Sequence, residues 1–129
     1  MKFIISLLFS LSFVLVAFAQ ADVRKLVDTE HSFAKFAEEN GTKAAFLEFA
    51  SNDALLFLPD KVNAKEHWNG RGPSAGLLSW APNYTDISAN GLLGYTTGNW
   101  EFRPKGKGDE PNGFGEFITV WLRQPDGKY

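Results

Sequence analysis

The hydrophobic pattern of this chain changes period once, across Phe49-Ala50-Ser51-Asn52-Asp53-Ala54-Leu55-Leu56-Phe57-Leu58-Pro59. Upstream, apolar residues recur at helical spacing; downstream, the chain reads as strands and turns. Ser51-Asn52-Asp53 makes the break, because these side chains bond nearby backbone and compete with helix. Ala54 to Leu58, closed by Pro59, reads as a short buried first strand. Helices first and strands second predict an α+β domain, with helices laid on one face of an antiparallel sheet.

The first twenty residues stand apart from that pattern. Met1-Lys2 is a positive start, Phe3 to Phe18 is apolar apart from three serines, and Ala17-Phe18-Ala19 is a small-x-small site. This is the layout of a secretory signal peptide cleaved after Ala19 or Gln20, so export to the periplasm or medium is expected. The alternative is an uncleaved N-terminal anchor, since the run is nearly long enough to cross a bilayer. After cleavage, residues 21–129 form one domain that is not membrane-bound, of a size that supports a modest core. Without Lys2 the basic count falls from 13 to 12 against 15 acids, a net charge of −3. With no Lys/Arg cluster to override it, that balance argues against nucleic acid as a partner. The absence of cysteine excludes disulfides, thiolate metal sites and cysteine catalysis.

The first helix is expected from Asp22 to Asn40. Val23, Leu26, Val27, Phe33, Ala34 and Ala37 fall in one stripe, and Glu30 lies in its middle. A buried carboxyl must find donors, hold its proton or face a polar cavity. Glu30 is therefore either a structural acceptor, for a Trp or Tyr on the sheet, or a functional acid. Asn40-Gly41 ends this helix, and Thr42 is expected to cap a second one from Lys43 to Ala50. Asn63 caps a single turn through Trp68, and Asn69-Gly70-Arg71-Gly72-Pro73 is turn chemistry, so the segment around His67-Trp68 reads as a rim. Leu77–Trp80 and Tyr84–Ser88 are two short strands or one interrupted strand. Leu92–Arg103 is a long strand in which Gly94 and Gly98 signal bulges or close approach. Phe114–Leu122 is apolar on both faces, the pattern of a central strand covered twice, once by the helices and once by a partner or the curved sheet itself. Gln124-Pro125-Asp126-Gly127-Lys128 is a hairpin turn with Tyr129 as the first residue of a returning strand. A last C-terminal strand is thus expected to be missing; otherwise dimerisation covers the open edge.

Val27-Asp28-Thr29-Glu30-His31-Ser32-Phe33-Ala34, the Phe49–Pro59 switch, Val62–Trp68 and Gly94–Arg103, in this order, resemble the nuclear transport factor 2-like superfamily. The similarity is to its exported SnoaL-like bacterial members and their domain of unknown function. The resemblance implies a cystatin-like cone, N-terminal helices packed on a curved antiparallel sheet, whose last strand follows the final turn. It says little about activity, because the fold hosts isomerases, dehydratases, cyclases, ligand binders and dimerisation modules. The ketosteroid isomerases resembling this chain place a base carboxylate just before the proline that ends the first strand, and a tyrosine on the first helix. Here the former position is Leu58 and the helix has no tyrosine, so that chemistry is not expected.

A cavity between the first helix and the sheet would be lined by Glu30, Phe33, Phe57, Trp80, Tyr95, Trp100 and Trp121. Such an aromatic cleft suits a small, partly apolar ligand. The same aromatics would also serve as plain core. An enzyme on this scaffold, a lyase, cyclase or isomerase, would use Glu30 with Tyr95 or with Asp86, Glu101 or Glu116. A third reading is a dimerisation or accessory module with a filled cavity, and a homodimer is expected in any case. The two histidines, His31 and His67, sit in no ligand-spaced motif, and no glycine-rich phosphate loop opens a helix, so neither metal nor cofactor is expected.

Overall fold

A computed structural model describes residues 22–129, and the expected signal segment 1–20 lies outside the described residues. Helix α1 covers residues 22–40. Its buried positions are Leu26, Glu30, Phe33, Ala34 and Ala37, spaced so that all five share one face. Gly41 ends it, donating its N–H to the Ala37 carbonyl at 2.8 Å with a φ of 91°, a conformation glycine adopts without strain. Helix α2 follows directly, Thr42–Phe49.

Thr42 does not cap α2. Gly41 holds the cap position without a side-chain bond, and Thr42 sits buried in the first turn. Its hydroxyl accepts from the backbone N–H of Leu78 at 3.0 Å, a sheet donor that needs an acceptor more than the helix start does.

Strands β1 (Leu55–Phe57) and β2 (Lys61–Asn63) form a two-stranded antiparallel hairpin. The expected buried strand Ala54–Leu58 is therefore shorter, and it lies at the surface: Leu55, Phe57 and Leu58 are 49%, 70% and 55% exposed. Its only strand partner among the described residues is the equally short β2. Helix α3 (Ala64–Asn69) begins as expected, with the Asn63 side chain accepting from the Glu66 N–H at 3.0 Å.

The main sheet is antiparallel, in the order β3 (Leu77–Ile87), β4 (Leu93–Arg103), β5 (Gly113–Leu122). The two expected stretches of β3 are one strand, with a register shift between Pro82 and Tyr84 that leaves Asn83 unpaired. Both glycines of β4 mark close approach. A Cβ on Gly94 would lie 2.4 Å from Leu26 of α1, and one on Gly98 would lie 2.0 Å from the Ala81 carbonyl oxygen. The turn after β5 closes as expected, Gln124 N–H donating to the Lys128 carbonyl at 2.7 Å, and Tyr129 donates its hydroxyl to the Gly91 carbonyl at 2.7 Å. Helices on one face of an antiparallel sheet make this an α+β fold, consistent with a cone.

One expectation about the sheet is corrected. β5 is an edge strand, not a central one, and it is covered on one face only. Phe117, Thr119 and Trp121 turn inward, whereas Phe114, Ile118, Val120 and Leu122 are 67%, 68%, 63% and 59% exposed.

Candidate functional site

Four elements converge on Glu30, which is 0% exposed. α1 carries the carboxyl across the sheet, and Gly94 of β4 lets the helix come close enough to deliver it. Trp80 of β3 donates its indole N–H to Oε1 at 2.5 Å. Thr96 of β4 lies on the inner face between Gly94 and Gly98, and its hydroxyl donates to Oε2 at 2.5 Å. Trp121 of β5, paired with Gly94, donates to Oε2 at 3.0 Å and lies 3.2 Å from the Thr96 hydroxyl. Indole nitrogens can only donate, so both need an acceptor at the point where they are buried, and Glu30 is that acceptor.

Aromatic rings close the space around this cluster. Phe33 meets Trp80 edge-on at 4.7 Å, Phe46 edge-on at 5.0 Å and Trp121 edge-on at 6.2 Å, and it stacks on Phe49 at 5.0 Å. Leu26, Ala37 and Ala45 complete the core with them. Glu30, Phe33, Trp80 and Trp121 are thus brought together, packed against one another instead of lining an opening.

The other candidates lie elsewhere. Phe57 is on the exposed hairpin. Trp100 is on the inner face but lies over Gly115, where a Cβ would come within 2.6 Å of its ring, and its N–H goes to the Glu116 carbonyl at 3.1 Å. Tyr95 precedes Thr96 and so points to the opposite, outer face, beside Tyr84 at 5.9 Å between ring centres. Loss of hydration there, with the Tyr84 hydroxyl beside it, raises the Tyr95 phenol above its ordinary range. Asp86 and Glu101 share the outer face by register, Glu116 alternates with the inward residues of β5, and Glu101 is paired with Arg103. None of these groups reaches Glu30.

No family model matches the sequence, and no curated protein matches it.

Thr96 is the member of the cluster that the sequence reading did not select. Its signal was positional: it shares a face with Gly94 and Gly98, the two residues already read as points of close approach. Around the histidines, the Arg71 Nε–H donates to His67 Nε2 at 2.8 Å, and Arg71 lies over the Trp68 ring at 5.5 Å, so this rim is held by its own side chains. No group of His, Asp and Glu able to hold a metal occurs among the described residues. An open cleft of about 500 Å³ lies along another side of α1, between Lys25, Thr29 and Ser32 and the rings of Phe49 and Tyr129. It does not include Glu30.

Proposed function

We propose that this chain is an accessory or dimerisation module of the nuclear transport factor 2-like type, exported under the direction of residues 1–20, that works through its surface. Its interior holds no substrate. The observation that carries this reading is the packing around Glu30: a carboxyl whose two oxygens accept from Trp80, Thr96 and Trp121, roofed by Phe33. An acid that performs chemistry must reach a substrate with a free oxygen. Glu30 reaches only its own donors. A binder of small apolar molecules needs an open concave cavity, and here the aromatics expected to line one fill it.

What is left exposed supports the same reading. On the outer face of the sheet Ile118, Val120 and Leu122 of β5 and Leu93 of β4 form an exposed apolar patch bounded by Glu116, the usual mark of a contact surface. The test is a search for an interior ligand. Melting temperature and the fluorescence of Trp80 and Trp121 are followed against fatty acids, sterols and small aromatic compounds. No saturable change is expected. A saturable stabilisation by one of them, abolished in Trp121→Phe, would overturn the proposal in favour of small-molecule binding.

A further inference from the structure

We infer that His67, Arg71 and Trp68 form a pH-operated cover on the rim of α3: while His67 is neutral it holds Arg71 over the Trp68 ring, and protonation of His67 releases it. This holds whether or not the chain is an accessory module. The Arg71 Nε–H donates to His67 Nε2 at 2.8 Å, and the guanidinium carbon lies 5.5 Å from the centre of the Trp68 ring. A guanidinium can only donate, and Nε2 accepts only while it carries no proton. The bond therefore needs a neutral imidazole whose proton is on Nδ1. When Nε2 gains a proton, an acceptor turns into a second donor and a neutral neighbour turns into a cation. Both changes act against the contact.

The surroundings push the same way. Helix α2 and strand β2 pack against α3. α2 brings Lys43, whose ammonium donates to the Arg71 carbonyl at 2.5 Å, and the exposed Glu48. β2 and the turn before it bring Lys61 and Asp60, both exposed. α3 itself carries the exposed Glu66, and Lys65, which donates to Asn52 Oδ1 at 3.0 Å. Among the described residues no carboxylate forms an ion pair with His67, Arg71 or Lys43. Protonation thus sets a third positive charge beside two that have no counter-ion. Arg71 also has somewhere to go: it is exposed between Gly70 and Gly72, and a Cβ on Gly72 would meet nothing within 4 Å. A cation over an indole at an exposed site is held weakly, so the hydrogen bond from His67 decides where the guanidinium rests. What its departure uncovers is the outermost ring of an aromatic stack. Trp68 lies on Phe46 at 5.0 Å, and Phe46 meets Phe33 of the core edge-on at 5.0 Å. Proton-driven loss of one contact that exposes an apolar surface is the general form of a histidine switch.

The experiment follows the side chains of the nitrogen-15-labelled protein by NMR from about pH 8 to about pH 5, the window in which imidazoles change charge. At the alkaline end His67 is expected as the Nδ1–H tautomer, and the Arg71 Nε–H signal should be visible because its hydrogen bond slows exchange. As His67 takes its proton, that signal should move to the position of the exposed Arg24. Relaxation of the Trp68 ring protons by a soluble gadolinium chelate should rise at the same midpoint. In His67→Gln the amide oxygen accepts at every pH, so neither change is expected. In Arg71→Ala the Trp68 ring should be accessible throughout, and His67 should show the tautomer of the exposed His31. All of these side chains lie on the rim, outside the packed core, so the variants keep the fold. A wild-type His67 in the Nε2–H form at the alkaline end, an Arg71 signal that stays put as His67 is protonated, or an equal rise at Trp68 in His67→Gln would overturn the inference.

Discussion

Replacing Glu30 by glutamine tests whether the centre of this fold is structural. A carboxyl offers two acceptor oxygens, and an amide offers one. With the amide oxygen facing Trp80, the NH₂ takes the place of Oε2 and can donate to the Thr96 hydroxyl, which must then turn to accept. The Trp121 N–H loses its 3.0 Å acceptor and keeps only the 3.2 Å contact to Thr96. Leaving one buried donor poorly satisfied costs about 1–3 kcal/mol. In a domain of this size each kcal/mol moves the melting temperature by roughly 4–8 °C, so Glu30→Gln should melt on the order of 10 °C lower. Glu30→Leu removes both acceptors at once and should cost about 3–6 kcal/mol, enough to unfold a domain of marginal stability. Urea unfolding gives the free energies, and near-ultraviolet circular dichroism reports the two indoles. The double variant Glu30→Gln with Trp121→Phe should lose less than the sum of the single changes, because both break the same bond. A Glu30→Gln protein within about 0.5 kcal/mol of wild type would refute the argument, since that is the range of substitutions that touch nothing important.

Three more outcomes follow from particular contacts. Gly98→Ala should destabilise more than Gly94→Ala: the first drives a methyl into the Ala81 carbonyl, the second mainly into the movable end of Leu26, and only the second should be relieved by Leu26→Val; urea unfolding of the variants checks the order. Trp68→Phe should cost about 1–2 kcal/mol less than Trp121→Phe in the same assay, because the buried Trp68 N–H has no partner among the described residues while that of Trp121 serves Glu30. Burial, and then the charge of Asp22, raise the Tyr129 phenol above its usual 10.0, with Arg123 opposing. A group held above its unfolded value contributes stability in full below that value and loses it as pH rises through the folded one. The stability difference between wild type and Tyr129→Phe should accordingly narrow above pH 10.0, and a constant gap would remove Tyr129 from the account.

Much of the layout could be read from periodicity. The stripe of α1 with Glu30 in it, the start of α3 at Asn63, the close approach at Gly94 and Gly98, and the inward side of Trp80 and Trp121 all follow from spacing and residue type. What periodicity does not contain is coverage. Phe114–Leu122 is apolar on both faces, but its pattern is the same whether it lies in the middle of a sheet or at its edge. The run from Ala54 to Leu58 likewise looks buried because burial was inferred from apolarity, whereas three of its side chains face solvent. Tyr95 and Thr96 show the limit most sharply. Adjacent residues on a strand face opposite ways, so the polar partner of Glu30 had to be the one in phase with the glycines, and the tyrosine was the wrong neighbour.

The unpaired Asn83 has a further consequence. Up to Pro82 the even-numbered residues of β3 face the helices, as Trp80 does; beyond Asn83 the odd-numbered ones do, so Thr85 and Ile87 turn in while Tyr84 and Asp86 turn out. One extra residue thus resets the phase of the strand halfway along. At this position the strand is held in phase by leaving one residue out of the ladder. Deleting Asn83 would leave every other pair as it is, whereas drawing Asn83 into regular pairing opposite Thr97 would set Asp86 opposite Gly94 beneath α1 and turn Ile87 outward, exchanging the two faces of half a strand with no change in the sequence.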